Sequence, residues 1–161
     1  MVRDADTALQ FGSKMQLSYN VENTQRAIGT RLSSHIVRKF GMTGLRENNI
    51  SVRLRGTAGQ SLGAFATQGL RLEAIGDAND YVGKGLSGGT IIVRPSAAAA
   101  FVAHENTIIG NTVLYGATSG KLFAAGQAGE RLCVRNSGAT AVVEGAGTNA
   151  CEYMTGGRVV I

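Results

Sequence analysis

The sequence predicts an all-β solenoid: stacked coils of about twenty residues, preceded by a short strand and a capping helix. Three observations lead there. Glycine is abundant, with 23 in 161 residues, whereas there is one proline and no tryptophan. Hydrophobic residues make up 43% of the chain but aromatics only 6%, so any core must be built from small and branched aliphatic side chains. Finally, short apolar runs recur at a fixed spacing from residue 50 onward. Charged residues at 17% exclude a disordered chain, and glycine without a strict three-residue period excludes collagen.

In chain order, Met15, Leu17 and Tyr19 alternate with polar residues and predict one strand. Ile28, Leu32, Ile36 and Phe40 recur every four residues and predict an amphipathic helix. Asn23, Thr24 or Thr30 is expected to cap its start, with Gly41 left-handed at its end. The runs Ser51–Arg55, Arg71–Ile75 and Ile91–Arg94 then begin twenty residues apart. Arg131–Arg135 follows two periods later and Arg158–Ile161 after a further insertion, while Thr107–Ile109, Thr112–Tyr115 and Thr140–Val143 supply more strands per coil. Residues 1–49 are thus expected to form a segment with strand and capping helix, and residues 50–161 a glycine-rich stack. The last strand ends uncovered at Val160 and Ile161, so the chain is expected to be a piece of something longer.

Glycine strings lead into these strands, and at coil turns they are expected either to adopt positive φ or to lie against the neighbouring coil. They comprise Gly56, Gly59, Gly63 and Gly69; Gly76, Gly83, Gly85, Gly88 and Gly89; Gly116, Gly120, Gly126, Gly129 and Gly138; and Gly145, Gly147, Gly156 and Gly157.

The net charge of +5 lies entirely in residues 1–55, which hold nine Lys/Arg against four Asp/Glu, whereas residues 56–161 hold seven of each. Those basic residues are scattered and not interleaved with aromatics, so no nucleic-acid partner is expected. The longest small apolar run, Ala97–Ala103, is too short to span a bilayer, so no membrane partner is expected either. Cys133 and Cys151 lack metal-ligand spacing and read as free thiols in a reducing cytoplasm.

Catalytic motifs do not assemble. Gly83-Lys-Gly-Leu-Ser-Gly88 has the letters of a dinucleotide fingerprint but runs into a strand instead of opening a helix. Ile109-Gly-Asn-Thr-Val113 suggests a hexapeptide acyltransferase repeat that the chain does not sustain. Glu73, Asp77 and Asp80 could pair as carboxylates but are better read as turn residues, with Lys84 as an ion-pair partner. His35, His104, Ser61 and Ser87 show no triad spacing. No catalytic, cofactor-binding or metal site is expected.

The strings Gly56–Ser61, Gly63–Phe65, Gly76–Gly89, Asn111–Gly120, Ala128–Arg131, Val134–Gly138, Val142–Gly145 and Cys151–Gly157 closely resemble the C-terminal domain of the glutamate synthase large subunit. Asn23-Thr24 and Gly29–Ser33 are similar to the start of that domain. Gly147–Ala150 and the leucines at 62 and 132 depart from the family pattern. The resemblance implies a right-handed parallel β-helix without catalytic residues of its own. It would scaffold an amidotransferase domain and a synthase domain that binds FMN and an iron–sulfur cluster, in a cytoplasmic enzyme making glutamate from glutamine and 2-oxoglutarate. Self-association into a homo-oligomer stays open. The alternative is an assembly subunit of a related enzyme of the N-methylglutamate synthase or formylmethanofuran dehydrogenase type, with a hexapeptide-type acyltransferase behind it.

Overall fold

A computed structural model describes residues 1–161. Nine strands and two α-helices follow the order α1 (Asp6–Phe11), β1 (Met15–Val21), α2 (Thr30–Phe40), β2 (Ile50–Gly56), β3 (Leu70–Ile75), β4 (Ser87–Arg94), β5 (Thr107–Ile109), β6 (Ser119–Ala124), β7 (Gln127–Ala128), β8 (Ser137–Val142) and β9 (Gly156–Val160), with 3₁₀ turns at Gly41–Thr43 and Ala103–Glu105. Seven strands form one sheet in the order β1-β2-β3-β4-β6-β8-β9, and β5 pairs only with β7. All these pairings are parallel.

This corrects the expected fold class. The chain is an α/β protein with a seven-stranded parallel sheet and helices, not an all-β, right-handed parallel β-helix. The physical reason lies in the segments that return from one strand to the next. They adopt left-handed φ at every second residue, as at Thr112 and Leu114 or at Arg131, Cys133 and Arg135. A non-glycine residue with φ near +60° cannot be part of a strand. The strands expected at Thr112–Tyr115 and Arg131–Arg135 are therefore turns.

The sheet keeps the spacing seen in the sequence. Ile50 pairs with Leu70 and Arg71 with Thr90, whereas Thr90 pairs with Lys121, because the chain makes an excursion of about twelve residues after Pro95 before rejoining the stack. The ladder after β4 is consequently carried by β6, β8 and β9 rather than by Arg131–Arg135.

The core lies between the inner sheet face and the return segments. Inward residues Val52, Leu72, Ile91, Leu122 and Ala141 align across consecutive strands, and each is at most 1% exposed. Opposite them, Leu62, Val82, Val113 and Leu132 are fully buried in successive returns. Such a narrow interior favours small and branched side chains, consistent with the scarcity of aromatics.

Helix α2 matches the expected span, and buries Leu32, Ser33 and Ile36. Its start differs from expectation. Gly29, at φ +93°, is the N-cap, with no side-chain cap bond, and the Thr30 hydroxyl donates to the Ala64 carbonyl instead. A side chain at Gly29 would run into Leu72, which explains why glycine stands there. Gly41 closes the helix with positive φ but ψ −162°, so it is not the left-handed cap expected. Helix α1 carries only Ala8 and Leu9 as buried residues, too weak a pattern to be read from the sequence. No helix is long and apolar enough to cross a membrane.

Candidate functional site

Two surfaces and one ionic cluster hold most of the chemistry-bearing side chains. The first surface is formed by the return segments. In five successive returns the left-handed residues are Ser61, Gly63 and Phe65; Tyr81, Gly83 and Gly85; Thr112, Leu114 and Gly116; Arg131, Cys133 and Arg135; and Asn149, Cys151 and Tyr153. In the first four sets the first and third residues donate their N–H forward, as Ser61 to Asp80 O and Phe65 to Lys84 O. The middle one donates backward, as Gly83 to Leu62 O and Cys133 to Val113 O. Each inner return is thus bonded to both neighbours, and buried main-chain groups are satisfied without strand geometry.

Of the eighteen turn glycines singled out in the sequence, eleven have positive φ: Gly56, Gly63, Gly69, Gly76, Gly83, Gly85, Gly88, Gly116, Gly120, Gly126 and Gly157. The other seven are close-approach positions. A Cβ at Gly59, Gly138, Gly147 or Gly156 would meet the main chain of the adjoining segment, and one at Gly129 would meet Asn111 and Gly110. Gly89 lies against Ala66 and Gly145 against Gln127. The non-glycine left-handed residues escaped sequence reasoning. Their signal is the alignment of each return with those carrying glycine at the same place, as Leu114 and Cys133 align with Gly63 and Gly83.

The ionic cluster centres on Glu73, whose side chain is 8% exposed on the outer sheet face. Arg94 Nε donates to its Oε1 at 3.0 Å and Arg71 to its Oε2 at 3.2 Å, with Arg53 at 3.7 Å. Burial pushes the Glu73 carboxyl up, but the Arg94 hydrogen bond and the charges of Arg71 and Arg94 outweigh it, holding it below the ordinary carboxylate range. Glu73, Asp77 and Asp80 do not converge into a group of three acids. Asp80 Oδ1 instead accepts the Asn111 N–H at 2.8 Å, and Asn111 Oδ1 accepts that of Glu130 at 2.9 Å, so these side chains tie one turn to the next. Lys84 lies over the Tyr81 ring at 5.7 Å rather than in an ion pair.

The remaining candidates stay apart. Cys133 is fully buried, and that burial, with Cys151 beside it, pushes its thiol up to about 12, far from a reactive thiolate. His35 borders a cleft of 720 Å³ with Tyr19, Ile28, Arg31 and Leu32, while His104 lies in the 3₁₀ turn at the end of the excursion, its carbonyl accepting from Gln127. No three His, Cys, Asp or Glu side chains converge as a metal site. Gly83–Gly88 passes into β4, so it presents no helix N-terminus to a pyrophosphate.

The outer sheet face is the second surface. There Ile92, Phe123, Val142 and Val160 align across β4, β6, β8 and β9.

A family model described as "GXGXG motif" matches residues 1–161. The chain is 71% identical over its whole length to a glutamate synthase [NADPH] large chain of Azospirillum brasilense, covering 11% of that protein. It is 51% identical over 98% of its length to ferredoxin-dependent glutamate synthase 2 of Synechocystis, covering 10%. It is 50% identical over 96% of its length to a glutamate synthase [NADPH] large chain of Bacillus subtilis, again covering 10%. The chain therefore spans about a tenth of the length of these relatives.

Proposed function

Because this chain belongs to the GXGXG motif family, we propose that it is a structural, non-catalytic domain of a glutamate synthase large chain. It holds the amidotransferase domain and the FMN- and iron–sulfur-binding synthase domain in the arrangement that passes ammonia between them. The parent enzyme forms glutamate from glutamine and 2-oxoglutarate in the cytoplasm, and this domain binds neither cofactor.

The observation that supports this reading is how the reactive side chains are employed. Glu73 is engaged by three arginines, Asp80 fastens a neighbouring turn, and the Cys133 thiol is held neutral in the core. Each serves stacking, so the domain's contribution is shape and rigidity.

The test has two arms. The isolated 161-residue chain is expected neither to hydrolyse glutamine nor to bind FMN. In the full-length polypeptide, substitutions on exposed faces of this domain are expected to uncouple glutamine hydrolysis from glutamate synthesis while leaving each half-reaction measurable. Glutamine hydrolysis by the isolated chain would refute the proposal.

A further inference from the structure

The outer face of the parallel sheet is neither an ordinary polar surface nor a buried one. Strand register places Arg53, Glu73, Ile92, Phe123, Val142 and Val160 in one cross-strand row. Its first two members belong to the ionic cluster, but the four that follow are apolar on consecutive strands. Phe123 is 39% exposed and Val160 49%, with Ile92 and Val142 half-buried. Single exposed apolar residues are common on any protein, but four in register make a continuous stripe of the kind that marks an interaction surface.

The flanking row, two residues earlier on each strand, carries Arg71, Thr90, Lys121, Thr140 and Arg158. Glu73, the carboxylate within these rows, is already surrounded by arginines. Lys121 meets Glu47 from the loop before β2, but both side chains are about half exposed, and such a pair is readily exchanged. The stripe is thus apolar at its centre and carries Lys121 and Arg158 along one edge.

The return-segment surface also exposes aromatics, Phe65 at 55% and Tyr153 at 75%, but they come from separate turns and make local contacts. Lys84 lies over Tyr81, Arg135 over Tyr153 at 5.3 Å, and Phe65 packs on Gly85. Phe123 has no such cover among the cation–ring contacts.

We propose that the stripe Ile92–Phe123–Val142–Val160, edged by Lys121 and Arg158, is a docking surface whose occupant is another segment of the same polypeptide, presenting apolar side chains flanked by carboxylates. Charge complementarity sets the carboxylates, since anionic groups would neutralise the basic edge while apolar groups cover the stripe. The intramolecular source rests on the proposed function and on the length of the relatives, of which this chain spans about a tenth. A nucleic acid fits less well, because its phosphates would match the edge and leave the apolar stripe uncovered.

A photoreactive phenylalanine analogue at position 123, introduced in the full-length polypeptide, tests this. The expected result is an intramolecular cross-link to an Asp/Glu-bearing peptide outside residues 1–161, with a matched probe at the exposed Glu152 not reaching that peptide. Combining the probe with Lys121→Glu and Arg158→Glu is expected to lower the cross-link yield about tenfold, since like charges then face each other. Native-like limited proteolysis of that variant shows that the fold is kept. A cross-link only to a second copy, only to nucleic acid, or none at all overturns the proposal. The two proposals fail separately. Loss of the cross-link with coupling between half-reactions still dependent on the domain removes this inference alone. A cross-link with no effect of the domain on coupling removes the scaffold role alone.

Discussion

At the scale of single residues, Glu73 shows how a carboxylate can be fully occupied by ion pairs across a sheet. Three guanidiniums face it on a half-dry sheet surface, and its proton affinity is lowered in the folded state. A carboxyl whose folded pKa lies below its unfolded value stabilises the fold above the unfolded pKa and loses that contribution as pH falls through the folded one. The acid limb of the stability curve, followed by circular dichroism from about pH 5 downward, should therefore flatten in Glu73→Gln. At neutral pH the same substitution should cost about 1–2 kcal/mol, less than for a fully buried pair because the arginines reach water. An unchanged acid limb would show that the cluster contributes nothing through Glu73.

At the scale of elements, the return segments depend on backbone conformations that sequence patterns do not display directly. Gly56 ends β2 at φ +117°, where a Cβ would strike the Val21 carbonyl, and Gly76 repeats the arrangement over Gly56 one rung later. Gly56→Ala should cost about 2–4 kcal/mol, combining left-handed strain with displacement of a main-chain neighbour. Denaturant unfolding measures it, and a cost within 0.5 kcal/mol would mean the strand end relaxes freely. Such rules also explain what the sequence made legible. Strands β1 to β4 and helix α2 could be read because alternating or four-residue apolar spacing reflects burial on one side. Arg131–Arg135 misled because Leu132, Cys133 and Val134 are all buried, which a strand pattern and a run of alternating left-handed turns write with the same letters. Glycine at every second position, as at Gly83 and Gly85, is the direct sequence trace of that backbone, and it fades wherever Leu114 or Cys133 takes the same conformation. The Glu73 cluster was missed because its arginines are recruited from three strands, whereas its sequence neighbour Asp80 binds the Asn111 N–H of another turn.

At the scale of the whole molecule, every neighbour in the main sheet is parallel, and six of its seven strands are consecutive rungs joined by returns that bond forward and backward. Disturbing one inner rung therefore disturbs two interfaces, and unfolding should be cooperative across β2 to β8, with coincident transitions by circular dichroism and hydrogen exchange. Separate transitions for the two halves would contradict this. The excursion after Pro95 stands outside that coupling. It leaves the stack at the end of β4, exposes Phe101 and Val102, and rejoins where Gln127 donates to the carbonyls of Asn106 and His104. The register on either side is already indifferent to about twelve extra residues, and lengthening a surface loop costs only about 0.6 kcal/mol per doubling. The stretch around Ala100 is thus a natural port: an epitope or fluorescent reporter spliced there should ride on the domain without unsettling it.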